Sequence, residues 1–267
     1  MLLTVDIGNT NIVLGLFDGN RAAEVKKGDA ALVHDWRMRT DARMTADEMA
    51  LTVRGLLGEY SRKITGIAAL STVPSLLREL KVMVDRYWPQ LPRVIVEPGV
   101  RTGVPLLYDN PRELGADRIV NTLAAYTLYG GPAIVVDFGT STNFDVISER
   151  GEFLGGALAP GIEISIDALA TRAAQLLKVQ LVRPRSVIGK STVEALQSGL
   201  LFGFAGQVDG LVQRIAAELA PGAEEDVVVI ATGGLAPLLI TESQTITHHA
   251  PHLTLRGLRM VFDRNIT

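Results

Sequence analysis

The hydrophobic pattern of this chain begins with two short apolar runs that flank a small polar turn. Residues 2–5 and 12–17 are apolar, and the sequence DIGNTN at 6–11 separates them. Two apolar runs of strand length joined by Gly, Asn and Thr predict a β-hairpin. Gly8 can adopt a positive φ and lets a ligand approach the backbone closely. The turn is therefore suited to a phosphate group, although an ordinary Asn/Gly hairpin has the same pattern.

The same plan recurs in the second half of the chain. Residues 133–148 repeat an apolar strand, the turn sequence DFGTST at 137–142, and a second apolar segment. Internal repetition is a signal at the level of the fold, and it predicts duplicated halves that each contribute a phosphate-binding turn, with a chance pair of hairpins as the weaker alternative. Asp6 and Asp137 would repel bare phosphate. We therefore expect cations beside them, with Asp6 holding Mg²⁺ directly or through water.

Strands and helices alternate through the rest of the chain, which predicts an α/β fold. Further strands are predicted at 32–39 (an edge strand), 64–72, 94–96, 152–159 and 227–230. Helices are predicted at 45–58, 74–87, 113–129, 162–177 and 235–240. Residues 192–219 fit one long helix or a broken pair, and residues 255–266 fit a short helix or a tail.

An acidic residue lies near the start of the helix predicted over 113–129. Asp117 stands where a helix N-terminus favours negative charge, and the adjacent Arg118 supplies an anion ligand. This pattern indicates either a functional carboxylate or a capping Asp beside a surface Arg. We place the boundary between two domains in this region, which gives domains of residues 1–114 and 115–267.

A third turn of the nucleotide-binding kind follows the strand predicted at 227–230. It has the sequence Ala-Thr-Gly-Gly at 231–234, which also serves plain α/β connections, so it indicates function only together with the other two turns. His248, His249 and His252 lie close in sequence. Because a proline interrupts them, a solvated loop is favoured over a metal site.

The long segment at 192–219 contains glycines at three- and four-residue spacing, which are Gly199, Gly203, Gly206 and Gly210. Each glycine lowers helix propensity by roughly 1 kcal/mol relative to alanine. A close neighbour is therefore expected along this face. It is either a second subunit or another helix of the same chain.

Composition narrows the classes of function. The chain has 267 residues, is 47% hydrophobic and carries a formal net charge of −3, so it can bury a large core but lacks the basic surplus typical of nucleic-acid binding. It contains no cysteine, which excludes disulfides and thiol nucleophiles. Asp6 comes too early for the apolar core of a signal peptide, and no apolar run reaches membrane-spanning length. We expect a soluble, cytoplasmic protein that binds neither nucleic acid nor membrane.

Together these motifs resemble the type III pantothenate kinases, a family in the superfamily of acetate and sugar kinases, heat-shock chaperone ATPases and actin. The motifs that carry the resemblance are DIGNTN at 6–11, GADR at 115–118, DFGTST at 137–142, GGALAPGI at 155–162 and ATGG at 231–234. The resemblance runs nearly end to end. One departure is Asn143, where the family usually has Thr or a related residue. No Walker A motif is present, which agrees with this family.

The resemblance implies two duplicated ribonuclease H-like domains, each with a mixed sheet flanked by helices, and ATP in the interdomain cleft. It implies ATP-dependent phosphorylation of pantothenate to 4′-phosphopantothenate, the first step of coenzyme A biosynthesis, by a homodimer. Asp117 would be the general base, and Asp137 would bind a monovalent cation, K⁺ or NH₄⁺. Expected ATP contacts are Asp6, Ile7, Gly8, Asn9, Thr10, Asn11, Ile12, Val13, Thr140 and Gly233. Expected pantothenate contacts are Tyr108, Gly115, Ala116, Asp117, Arg118 and Thr192, with Thr192 contributed by the partner subunit of the homodimer.

Other functions stay open at this point. A kinase for another small hydroxyl substrate, or a phosphoanhydride hydrolase, would fit the same scaffold because a fold does not fix the acceptor. A nucleotide-sensing regulatory protein would bind ATP and a partner without turnover. The carboxylates Asp6, Asp117 and Asp137 argue against that last reading, since a pure binding protein needs no base beside an acceptor.

Overall fold

A computed structural model describes residues 1–18, 32–172 and 178–266 of the chain. The chain forms two compact units, the first from Met1–Val104, Asp109–Leu128 and Leu253–Thr267, the second from Pro105–Tyr108 and Tyr129–His252. The division predicted from the sequence, 1–114 and 115–267, assigns residues 115–128 and 253–267 to the second half. In the structure, both of these segments pack with the first unit.

The first unit is built on a five-stranded sheet with the order β3-β2-β1-β4-β5. Its strands are β1 (Leu2–Ile7), β2 (Asn11–Phe17), β3 (Leu32–Arg39), β4 (Gly66–Ser71) and β5 (Arg93–Ile95). The first three strands pair antiparallel in succession, while β4 runs parallel to β1 and β5 parallel to β4. The hairpin predicted around the first turn is confirmed.

The second unit repeats this sheet. Its strands are β6 (Ala133–Phe138), β7 (Ser141–Ile147), β8 (Phe153–Pro160), β9 (Val228–Thr232) and β10 (His248–His249), in the order β8-β7-β6-β9-β10. The succession of buried and half-buried positions is identical along β1 and β6, and again along β2 and β7. Strand directions and the register irregularity near the end of β2 and β7 also match. The predicted duplication therefore extends over the whole sheet.

Seven α-helices flank these sheets in the described part of the chain: α1 (Ala46–Leu57), α2 (Pro74–Tyr87), α3 (Ala116–Tyr129), α4 (Ile162–Arg172), α5 (Thr192–Leu219), α6 (Ala236–Leu239) and α7 (Leu253–Ile266). The capping box predicted at Thr45 is formed, because its side chain accepts from the Glu48 N–H and the Glu48 carboxylate accepts from the Thr45 N–H. α4 ends at Arg172, and the predicted residues 173–177 lie outside the described residues.

α5 and α7 settle two alternatives that the sequence left open. α5 is one unbroken helix of 28 residues, so the broken pair is wrong. α7 is a full helix that packs on the first sheet, so residues 255–266 are not a tail. The contact is close, because a Cβ added to Gly66 of β4 would overlap the Phe262 ring.

Each unit has its own hydrophobic core between sheet and helices. The inward side chains of β1 and β2 pack with α1 and α2 in the first unit. Those of β6 and β7 pack with α4, α5 and α6 in the second. Both cores therefore lie under the hairpins that carry the phosphate-type turns. None of the helices in the described part of the chain is long and apolar enough to cross a bilayer.

Candidate active site

The first turn joins β1 to β2 and is fixed by hydrogen bonds from its surroundings. The Gly8 N–H donates to the Asn11 carbonyl at 2.9 Å, and the Thr40 hydroxyl donates to the Gly8 carbonyl at 2.7 Å. Asn9 is exposed, and Asp6 is half-buried near the end of β1. A tethered turn with exposed polar side chains beside a carboxylate is preorganised for a charged ligand.

The second turn joins β6 to β7 and is one residue shorter than the first. Three residues, 139–141, lie between the last paired residues Phe138 and Thr142. In the first hairpin four residues, 8–11, lie between Ile7 and Ile12. The Gly139 N–H donates to the Ser141 carbonyl at 3.0 Å, and Thr140 is exposed. The two turns therefore share a plan but differ in detail, as expected if their ligand contacts differ.

Asn143 lies directly across the β6–β7 ladder from Asp137. Val13 holds the equivalent position opposite Asp6 in the first hairpin. The Asn143 side-chain oxygen accepts a hydrogen bond from the Ser141 hydroxyl at 2.7 Å. Asn143 thus orients a hydroxyl of the second turn.

Two glycines pack directly against the second turn. A Cβ added to Gly161 would overlap the Thr140 carbonyl, and one added to Gly233 would lie 2.6 Å from Asp137 Oδ1 and 2.5 Å from the Phe138 carbonyl oxygen. The third turn reaches the second because β9 lies beside β6 in the sheet. The structure therefore brings Asp137, Thr140 and Gly233 together within the second unit.

Replacing Gly233 with Ala is expected to lower kcat/KM for ATP about tenfold or more, since strained backbone costs roughly 1–3 kcal/mol and the new methyl group would also displace the Asp137 carboxylate. Gly233 has a φ of 90°. Gly222 is a matched control, because its φ is 78° but nothing lies within 4 Å of its added Cβ. Steady-state kinetics and thermal unfolding of both variants check this. Equal losses of activity in both would contradict the role given to Gly233.

Asp117 is the second residue of α3 and lies in the first unit. Its Oδ1 accepts a hydrogen bond from the Arg118 N–H at 2.9 Å. A Cβ on Gly115 would overlap this carboxylate, so the glycine is needed for the carboxylate to fold back over the helix start. Burial raises the pKa of the Asp117 carboxyl above its usual value, while the Arg118 N–H and guanidinium oppose the rise. A desolvated carboxylate of raised pKa is better suited to accept a proton.

Tyr108 and Thr192, the other residues expected at the pantothenate site, belong to the second unit, Tyr108 in an irregular segment and Thr192 on α5. The Tyr108 ring packs edge-on against the Phe153 ring, with centroids 5.8 Å apart. Thr192 is the exposed first residue of α5 and follows the N-cap Ser191, whose hydroxyl accepts from the Glu194 N–H at 3.2 Å. The contact with Phe153 of β8 positions Tyr108, and the cap at the start of α5 positions Thr192.

Among the described residues, no three His, Cys, Asp or Glu side chains are grouped so that they could hold a metal ion. Asp6 and Asp137 are half-buried carboxylates. One carboxylate fits a hard cation such as Mg²⁺, which takes its other ligands from water and substrate phosphates. His248 and His249 form β10 rather than the predicted loop, and the His248 ring lies 4.9 Å from that of Tyr129.

Two residues outside the predicted site, Thr40 and Thr72, also support the first turn. Besides its bond to Gly8, Thr40 donates its N–H to the Thr10 carbonyl at 3.0 Å. The Thr72 N–H donates to the Ile7 carbonyl at 2.9 Å. Both threonines directly follow strands that neighbour the first hairpin. Knowledge of the sheet order would have found them, whereas no local motif marks them.

Comparison with known proteins identifies the family. The sequence profile of type III pantothenate kinases matches residues 2–214. The chain belongs to the type III pantothenate kinase family. Proteins of that name from Saccharopolyspora erythraea and Rhodococcus jostii are 71% and 66% identical to it over 99% of this chain, covering 99% and 96% of their own lengths. One from Salinispora arenicola is 66% identical over the full length of both chains. The resemblance read from the motifs is confirmed, and the chain is a kinase.

Solved structures show that the fold of this pantothenate kinase family member is shared more widely. A conserved putative Baf family transcriptional activator from Campylobacter jejuni has a TM-score of 0.60 at 20% identity, covering 99% of this chain and 98% of that one. An inorganic polyphosphate/ATP-glucomannokinase from Arthrobacter has a TM-score of 0.51 at 14% identity, covering 98% of both chains. These likenesses bear on the fold, and they confirm the two-sheet α/β architecture expected from the motifs.

Proposed function

We propose that this kinase transfers the γ-phosphoryl group of ATP to the primary hydroxyl of pantothenate, giving 4′-phosphopantothenate at the first step of coenzyme A biosynthesis. The observation that carries the proposal is the Asp117 carboxylate, whose pKa is raised by burial, in a chain whose family is named for this acceptor. The reaction is proposed to take place in the cytoplasm, where ATP is available.

Asp117 acts as the general base. As the hydroxyl oxygen attacks the γ-phosphorus in line, its proton passes to the Asp117 carboxylate, while the bond to the bridging oxygen breaks and ADP leaves with the electron pair. Arg118, next to it on α3, binds a negatively charged part of the substrate. Positioning and charge neutralisation account for most of the acceleration in phosphoryl transfer, so the protein has little covalent chemistry to perform.

The turns bind the phosphates of ATP. Residues 6–13 supply the first set of contacts, and Thr140 on the second turn supplies another, beside Gly233. Asp6 is suited to hold Mg²⁺ through one oxygen or through water, and Asp137 to hold a monovalent cation. When bound, these cations neutralise phosphate charge. This assignment is supported by Asp6 and Asp137, which are half-buried carboxylates, each beside a turn held by hydrogen bonds.

The acceptor site includes residues 115–118, Tyr108 and Thr192, and we infer that Thr192 comes from the partner subunit of a homodimer. Support comes from α5, where Cβ atoms added to Gly199, Gly203 or Gly206 meet no heavy atom of the described chain within 4 Å. The close intrachain neighbour that would explain these glycines is absent from the described residues. A second copy of α5 would bury this face symmetrically.

Mixed dimers test the shared site. One homodimer carries Asp117→Asn and the other a bulky Thr192→Trp substitution, so each is nearly inactive. After subunit exchange, a heterodimer has one intact site and one doubly damaged site, and about half of the wild-type activity per dimer should return, by the symmetry of a C₂ dimer. Fluorescence transfer between labelled subunits reports the exchange. No recovery after demonstrated exchange, or a fully active monomer, would refute the contribution in trans.

Product analysis tests the reaction itself. Purified protein is incubated with ATP and pantothenate, with and without K⁺ or NH₄⁺, and products are identified by mass spectrometry. We expect ADP and phosphopantothenate in equal amounts, formed faster with the monovalent cation. ADP formed without pantothenate would indicate a hydrolase, and transfer to a different hydroxyl compound alone would indicate another kinase. ATP binding without turnover would support a nucleotide sensor.

A further inference from the structure

A row of side chains crosses the second sheet from Asp137 to an exposed leucine on β8. Asp137 pairs with Asn143, and Asn143 pairs with Leu158. Directly opposed residues of antiparallel strands project from the same face of a sheet, so the three side chains lie side by side. Leu158 is 64% exposed. The row therefore ends in an apolar side chain that the described part of this chain leaves open.

Single exposed leucines are common on protein surfaces, but the duplicated sheet offers an internal comparison. The equivalent row in the first sheet runs from Asp6 through Val13 to Arg37. Arg37 is also exposed, as a charged residue at an open edge would be. The second sheet thus has a leucine where its duplicate has an arginine. A specific apolar contact would account for the difference.

The same face continues along β8 towards Tyr108. Gly156, opposite Asp145, is the next residue on this face, and Phe153, opposite Ile147, follows beyond the register irregularity. The Tyr108 ring packs edge-on against Phe153. Gly156 is exposed and has no side chain. β8 therefore presents an exposed leucine and a bare stretch of backbone, and it leads to the buried Phe153 ring on which Tyr108 packs.

Pantothenate has matching chemistry at its reacting end. Its primary hydroxyl is attached through one CH₂ to a carbon with two methyl groups, and the remaining chain ends in a carboxylate. Each methyl carbon is three bonds from the reacting oxygen, so the methyl groups lie close to the second turn when the hydroxyl approaches a phosphoryl group there. Adjacent strands lie about 4.8 Å apart, so Leu158 is on the order of 10 Å from Asp137. A phosphoryl group and the dimethyl carbon fill a span of that size.

We propose that Leu158, next to the uncovered backbone of Gly156, binds the gem-dimethyl group of pantothenate and thereby selects the acceptor. This inference rests on the proposed function and adds a specificity-determining residue to it. The hydrophobic contact holds the hydroxyl end towards the second turn, while the rest of the acceptor follows β8 in the direction of Tyr108.

The test compares two acceptors with two forms of the enzyme. The acceptors are pantothenate and its analogue with hydrogens in place of both methyl groups. Leu158→Ala should lower kcat/KM for pantothenate about tenfold, the scale of losing a good contact with one or two methyl groups. It should change kcat/KM for the analogue by less than about twofold, since the contact is already missing. Leu158→Met, which keeps an apolar side chain of similar volume, should retain most of the preference.

Leu51→Ala is the matched control, because Leu51 is 75% exposed on α1. This substitution should leave kcat/KM for both acceptors unchanged. KM for ATP should also stay unchanged in Leu158→Ala. An equal loss with both acceptors would overturn the proposal, and if the variant also sedimented as a monomer, Leu158 would belong to a subunit contact. If wild-type protein failed to phosphorylate pantothenate at all, the proposed function would fail first. Wild-type activity with an unchanged acceptor preference in Leu158→Ala would reject this inference alone.

Discussion

Asp117→Asn should lower kcat by roughly 10² or more, the usual scale for loss of a general base, while ATP binding stays largely intact. The amide keeps the shape of the side chain but cannot accept the proton of the attacking hydroxyl. Steady-state kinetics and calorimetric titration with ATP separate the two effects. Turnover close to wild type, or loss of ATP binding in step with kcat, would remove Asp117 from this role.

The same substitution is expected to stabilise the fold at neutral pH. Burial raises the pKa of Asp117, so the folded state binds its proton more tightly than the unfolded state does. The free energy of unfolding therefore decreases as pH rises from the ordinary pKa of Asp to the raised pKa. Above both pKa values, the folded state carries the full cost of burying a charged carboxylate. Asn removes that cost. The gain in Tm should be present at pH 7 and shrink as the pH falls below the raised pKa.

Asp137→Ala should weaken monovalent-cation activation and ATP use together, by roughly 10- to 100-fold in kcat/KM for ATP, the range seen when groups around a bound metal are lost. The carboxylate lies against the third turn at Gly233 and supplies the oxygen expected to keep a cation beside the phosphates. Rates measured over a K⁺ titration check this.

Asp226→Ala is the control for that experiment, because Asp226 is an exposed carboxylate of the second unit, outside the motifs. It should leave the response to K⁺ unchanged. If Asp137→Ala retained the wild-type K⁺ response, Asp137 would not be the cation ligand, whatever its effect on KM for ATP.

The duplicated hairpins could be predicted because each has a contiguous signal, two apolar runs around an Asp-x-Gly turn. The position of α7 in the fold could not be predicted in this way. Helical periodicity in residues 255–266 shows that one side is buried, but it does not specify the sheet that buries it. The helix closes on β1 and β4 of the first unit, more than 180 residues earlier in the chain. Long-range packing of this kind leaves no mark within a short window of sequence.

The candidate site shows the same division between local and long-range information. The turns at 6–11 and 137–142 are continuous motifs, so the sequence alone predicts them. The contact of Gly233 with Asp137 depends on β9 being the parallel neighbour of β6, which no local pattern shows. The sequence alone does not mark Leu158, because β8 is rich in glycine and alternates weakly. The exposed face of β8 is defined only by its register with β7.

The central claim is that the desolvated Asp117 carboxylate accepts the hydroxyl proton. The pH dependence of kcat/KM for pantothenate tests this claim most directly. The base must be unprotonated, so activity is present above its raised pKa and is lost as pH falls through it. We predict an acid limb with an apparent pKa above the 3.8 of an ordinary Asp, which disappears from the residual activity of Asp117→Asn. A limb caused by the substrate carboxylate would persist in that variant. The same acid limb in both enzymes would contradict the account.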